Sequence, residues 1–217
     1  GLANVRGRVE PAPAGWRFVA DGATDYGPIT GNGLIRTASD PVTIDIANVT
    51  LAGITGQGRL AQTAAGPFAG ALRFGGQGVQ GAVTLAAAGA VQRADISATA
   101  ANATLATTTP LTIESGTLAL SVLLPDSGPE ASGSFEFAGI ERENLTIDSA
   151  EGTLRYAGGR GTAKGRITGR SGTPFAFNGL AELSPDEMRV TADGTLAGRA
   201  VQLSGPAVLT LSLIHIS

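Results

Sequence analysis

The chain has 217 residues, of which 32 are Gly, 36 Ala and 23 Thr, with only 15% charged and 5% aromatic side chains. A net charge of −3 and a pI near 5.2 leave no electrostatic footprint for nucleic acid, and the absence of Cys excludes disulfides, iron–sulfur clusters, thiolate zinc sites and Cys nucleophiles. No apolar run reaches the roughly 18 residues that a membrane-spanning helix needs, and with Ala set aside the large apolar residues are too few for a compact core, which at this length would bury roughly 70% of the unfolded surface.

Period-two alternation runs along the whole chain, the mark of strands with one buried face. Trp16 and Phe18 lie in one such strand, followed by turn chemistry at Asp21-Gly22 and Gly31-Asn32-Gly33. Val42, Ile44 and Ile46 then alternate with Thr43, Asp45 and Ala47; Phe68, Leu72 and Phe74 share a phase before a break at Gly75-Gly76; Val83, Leu85 and Ala87 follow. The Ala-rich stretch Leu85–Leu105 still alternates at Ile96, Ala98 and Ala100, so it too is expected as strand. Leu118, Leu120, Val122 and Leu124 alternate with Thr117, Ala119 and Ser121, ending at Pro125-Asp126-Ser127-Gly128. Phe135 and Phe137 flank Glu136, and Leu154 and Tyr156 flank Arg155 ahead of Gly158-Gly159. Ser184-Pro185-Asp186-Glu187 has helix-start chemistry but strand alternation after it (Met188, Val190, Ala192), so at most one turn of helix is expected there. Asp193-Gly194 closes the series as a further turn signal. With strands recurring and no amphipathic helix between them, the expected fold is all-β, an elongated antiparallel meander curling into an open hydrophobic groove.

Phrases repeat. LTIESGTL (Leu111–Leu118) returns as LTIDSAEGTL (Leu145–Leu154) and more weakly as VTADGTL (Val190–Leu196), and Asn-x-Thr-Leu/Ile occurs at Asn48, Asn102 and Asn144. The uneven spacing suits an extendable array of hairpins better than a closed propeller. On this reading Gly116, Gly152 and Gly194 should each open a strand just after a turn.

Catalytic and cofactor motifs are weak. Gly76-Gln77-Gly78-Val79-Gln80-Gly81 fits the dinucleotide pattern, but a strand follows where a helix is required, so a hairpin is expected. Gln80 and Ala163 stand where Gly-rich calcium repeats need Asp. The acid pairs Asp21/Asp25, Glu141/Glu143 and Asp186/Glu187 fit solvated turns, with too few aromatic platforms for a glycosidase. The single His, His215, lies in the terminal LSLIHIS, which resembles a translated sequencing adapter. Residues 1–210 are therefore expected to be one repetitive β-array from inside a longer protein, and 211–217 an artefact that pairs at best as an edge strand. Arg160, Lys164, Arg166 and Arg170 form a local basic cluster, expected as solvated strand faces, with contact to an anionic headgroup as the alternative. No enzyme activity, cofactor or metal is expected.

The phrases LTIDSAEGTLRYAGG, RGTAKGRITGRSGTPFAFNGLAELSP and DGTLAGRAVQLSGPAVL, within Phe135–Leu209, resemble the AsmA-like superfamily of Gram-negative envelope proteins, in particular its TamB-type (translocation and assembly module) and YdbH-type members. The resemblance implies a lengthwise-folded β-groove with an apolar interior, a periplasmic body held to the inner membrane by a helix outside this chain, and phospholipid passage to the outer membrane. An older role in outer-membrane protein assembly, with that machinery as partner, is also implied. The expected occupants of the groove are phospholipid acyl chains, against Leu118, Leu120, Val122, Phe135, Phe137, Leu145, Ile147, Leu154, Tyr156, Ile167, Phe175 and Phe177. Thr117, Ser121, Glu136, Thr146, Arg155 and Arg166 should face water. Four alternatives remain: a β-sandwich core closed by a second sheet, an adhesive extracellular β-repeat of β-helix or autotransporter type, an outer-membrane barrel, disfavoured by the scattered aromatics, and, weakest, a carbohydrate-active β enzyme.

Overall fold

The structure is a computed structural model that describes residues 2–24, 27–105 and 110–210; residues 211–217, with His215, and Asp25 of the first acid pair lie outside the described residues. The described residues form sixteen strands and no helix: β1 (Leu2–Ala12), β2 (Gly15–Thr24), β3 (Gly27–Arg36), β4 (Thr43–Leu51), β5 (Ile54–Gln62), β6 (Phe68–Gly76), β7 (Val79–Ala88), β8 (Val91–Leu105), β9 (Leu111–Leu124), β10 (Glu130–Arg142), β11 (Leu145–Ala157), β12 (Arg160–Ser171), β13 (Thr173–Leu183), β14 (Glu187–Leu196), β15 (Arg199–Gln202) and β16 (Ala207–Thr210). Each strand from β1 to β15 pairs antiparallel with the next, and β15 and β16 share the outer edge of β14. The first and last strands do not meet, so the sheet is an open meander and not a barrel. Fourteen strand spacings of about 4.8 Å make it roughly 67 Å long along the ladder.

Tight turns build the hairpins. Ala52-Gly53 (φ 51° and 79°), Gln77-Gly78 (55° and 80°), Gly158-Gly159 (59° and 75°) and Ala197-Gly198 (53° and 75°) each place two residues in the left-handed region. Such turns match the twist of the strands they join. The dinucleotide-like run is thus the β6–β7 hairpin. Ser184 makes a turn and no helix: its hydroxyl accepts from the Glu187 N–H at 3.2 Å and donates to the Glu187 carbonyl at 3.0 Å. Four expected turns are not turns. Asp21-Gly22, Gly31-Asn32-Gly33, Gly75-Gly76 and Asp193-Gly194 all lie within strands, the third just ahead of the turn at Gln77-Gly78.

Strict alternation also fails at one level of the sheet. In β11 the half-buried Ile147 and Ala150 are three residues apart, with Asp148 and Ser149 both exposed between them. Ile147 pairs with Gly169 and Ala150 with Ile167, two residues apart on regular β12, so both lie on one face and β11 carries a bulge. β8, β9 and β10 step by three at the same level, at Ala100/Ala103, Gly116/Ile113 and Phe137/Ile140, with left-handed Asn102 (φ 48°) and Gly139 (φ 61°) in the inserts. The repeated Leu-Thr-Ile-acid-Ser phrase marks this bulge row. β4 has its own bulge between Ile46 and Val49.

Among the described residues no second sheet covers either face. The accessible surface is 13673 Å², against about 9,200 Å² for a compact protein of this mass. Only Leu60, Ala103 and Ile113 are buried apolar residues among those described. This excludes the closed sandwich. Extensive packing joins only strands adjacent in the pairing order, so cohesion is quasi-one-dimensional.

The polar face is tied by cross-strand charges. Asp45 accepts from Arg36 Nε at 2.6 Å and from Arg59 Nε. The Arg59 and then the Arg36 hydrogen bonds lower its pKa from 3.8 to about 2. A carboxyl whose folded pKa lies below its unfolded value adds stability above the unfolded pKa and loses it as pH falls through the folded one. Urea midpoints should therefore drop between about pH 4 and pH 2, and the drop should be shallower in Asp45→Asn. Identical acid limbs for the two proteins would remove this role.

Candidate functional site: an uncharged lane along the sheet

Glycine and phenylalanine pair across strands. Six of the seven Phe stand directly opposite a Gly on the neighbouring strand: Phe18/Gly33, Phe74/Gly81, Phe137/Gly116, Phe135/Gly152, Phe175/Gly169 and Phe177/Gly194. In each pair a Cβ added to the Gly would run into the ring, at 2.6 Å for Gly33, 2.7 Å for Gly152 and 3.0 Å for Gly169. The rings thus lie down over backbone that has no side chain, the known rescue of strand glycines by aromatics. This overturns the expectation for the repeated Gly-Thr-Leu units. Gly116, Gly152 and Gly194 sit inside β9, β11 and β14, none has a positive φ, and each is floor beneath a Phe. The units do not mark strand starts, and the hairpin repeat inferred from them does not hold in that form.

Following register partners from strand to strand gives rows that cross the sheet. One runs Pro11, Trp16, Ile35, Ile44, Leu60, Gly70, Leu85, Ala94, Val122, Ala131, Tyr156, Gly161, Leu183, Met188. The next runs Val9, Phe18, Gly33, Ile46, Gly58, Leu72, Val83, Ile96, Leu120, Gly133, Leu154, Ala163, Ala181, Val190. The third runs Gly7, Ala20, Gly31, Val49, Gly56, Phe74, Gly81, Ala98, Leu118, Phe135, Gly152, Gly165, Gly179, Ala192. None of the three holds a charged residue from β1 to β14. Toward one end the third row becomes Gly152, Gly165 and Gly179, with no side chain near the last two, so the floor drops between Ile167/Phe177 on one side and Leu154/Ala181 on the other.

The structure puts every expected groove residue on this face. Val122 and Tyr156 belong to the first row, Leu120 and Leu154 to the second, Leu118 and Phe135 to the third. Phe137, Ile167 and Phe177 form a fourth, and Ile147 and Phe175 a fifth, which Ile147 joins only through the Asp148 bulge. Leu145 is at the border and 37% exposed. Thr117, Ser121, Glu136, Thr146, Arg155 and Arg166 are on the opposite face, with Ser121 and Thr146 half-buried there and the others exposed. Missed from the sequence were the lane residues of β2–β8, among them Trp16, Ile35, Leu60 and Phe74. Their alternation was visible, but nothing local joined them to the later stripe. Gln92 was missed too: its side chain accepts from the Phe68 N–H at 2.8 Å and donates to the Phe68 carbonyl at 2.9 Å. It thereby supplies β6 with a ladder partner where β7 has diverged.

The open hollows lie on the polar face. One of about 980 Å³ is lined by Ser121, Ser132, Arg155, Thr162, Glu182 and Arg189, and another of about 650 Å³ by Glu136, Glu151, Lys164, Arg166, Asn178 and Asp193. The basic cluster therefore lies along the polar face of β12: Arg160 lines the first hollow, Lys164 and Arg166 border acids in the second, and Arg170 stands 3.9 Å from Asp148. No family model matches the sequence, and no curated protein or solved structure is significantly similar to it.

Proposed function

We propose that the lane is a track for phospholipid acyl chains, and that this chain is part of a periplasmic bridge along which lipids pass passively from the inner to the outer membrane. The observation that carries the reading is the set of three adjacent rows, free of charge over some 62 Å, on a face that no second layer covers among the described residues. An apolar face of that extent is unfavourable in water unless something lies on it. Each methylene removed from water is worth about 0.8 kcal/mol, so a 16-carbon chain could gain on the order of 12 kcal/mol if fully buried, and roughly half that on a one-sided track. The remainder, less ordering costs, is weak enough to permit sliding. The texture of Phe135–Leu209 supports the same reading, and with it an inner-membrane anchor outside this chain and contact with outer-membrane assembly machinery. The mechanism needs no catalytic group.

A photo-crosslinking residue at Leu120, Phe137 or Phe177, in the protein expressed in a Gram-negative envelope, should capture phospholipid. The same residue at Glu136 or Arg155 should not. Equal labelling of both faces, or none, would leave a structural or adhesive β-module instead.

A further inference from the structure

The two long borders of the apolar face differ in charge. One is made of the turns that follow even-numbered strands, the other of those that follow odd-numbered strands. Beyond the bulge of β10, Ile140 and Arg142 share the apolar face, and Arg142 pairs with Leu145. Arg199 pairs with Leu196, itself the partner of Phe175. Both arginines thus stand on the apolar face at the even border, exposed, and neither has an ion-pair partner among the described residues. The acids nearby point elsewhere: Glu141 alternates to the polar face, Asp148 lies beside Arg170 there, and Glu143 is in the turn. At the odd border Asp40, Asp126 and Asp186 lie in the turns, while Glu130, Arg160 and Glu187 alternate to the polar face, where Arg189 holds Glu187 and Asp45 holds Arg36.

We infer that a phospholipid on the lane is oriented, its phosphate at the border of Arg142 and Arg199 and its acyl chains laid across the rows toward the acidic border. The inference rests on the lane reading. A guanidinium offers a phosphate two parallel N–H donors, and the border opposite repels it. The arginines are on β10 and β15, about 24 Å apart along the ladder, so they act as successive stations on one side of the track.

Two diacyl phospholipids test this on the purified chain, one photoreactive in the headgroup and one at the acyl terminus, with labelled peptides located by mass spectrometry. The acyl probe should label the rows, and the headgroup probe should favour Leu145, Ser171 and Thr173 over Gly159 and Pro185 by about tenfold, the effect of a preference near 1.4 kcal/mol. Arg142→Glu/Arg199→Glu should abolish that preference, while Arg142→Lys/Arg199→Lys should keep most of it. Headgroup labelling at the odd border, or a preference indifferent to charge reversal, overturns the inference and leaves the lane intact. Failure of the acyl probe to label any row removes the lane and the orientation together. Inorganic phosphate, at ionic strength matched with chloride, should change nothing; its selective loss of border labelling would assign the arginines to free phosphate and overturn the headgroup role.

Discussion

Gly116→Ala is expected to destabilise the sheet by about 1–3 kcal/mol, the usual penalty for forcing a methyl into occupied space. The nearest atoms to the new methyl all belong to the Phe137 ring, with Cε1 at 2.6 Å, so the clash has a single cause. In a Phe137→Ala background the same change should be neutral or stabilising, since Gly inside a strand costs roughly 0.5–1 kcal/mol relative to Ala. Gly179→Ala is the contrast: its new methyl would meet only the Thr191 carbonyl, at 3.9 Å, and should stabilise by that same amount. A double-mutant cycle read by urea denaturation isolates the Gly116–Phe137 coupling. Additive effects would show that the ring does not need the bare backbone beneath it.

Gly179→Glu should block the lane. The position is exposed and roomy, so the fold persists, but a carboxylate now stands in a row that is otherwise free of charge. Laying an acyl chain over it strips water from the charge, at a cost of more than about 1.4 kcal/mol, or tenfold. Lipid capture at Phe177 should fall at least tenfold, with an unchanged circular dichroism spectrum. Asn178→Glu, next in sequence and on the opposite face, should leave capture as it was. Equal loss in both would show that capture responds to net charge and not to the lane.

Strand content was written in local pattern. Val42-Thr43-Ile44-Asp45-Ile46 and Leu118-Ala119-Leu120-Ser121-Val122 alternate because successive side chains in a strand point to opposite faces, and that period needs no knowledge of neighbours. The scarcity of large apolar residues likewise foretold a one-sided sheet. Glycine was the failure. Gly33 and Gly194 have the same local chemistry as turn glycines, and only the Phe on the next strand tells a floor from a bend. Register decided the rest. Whether Ile147 shares a face with Leu154 depends on one inserted residue at Asp148, which period-two counting does not register. Whether the apolar residues of β2 and β14 belong to one lane depends on a dozen successive pairings between them. The sequence by itself determined that there would be an apolar face; the pairing of strands decided that the face would be one continuous, uncharged surface, because only hydrogen-bonded register carries a row from one strand to the next.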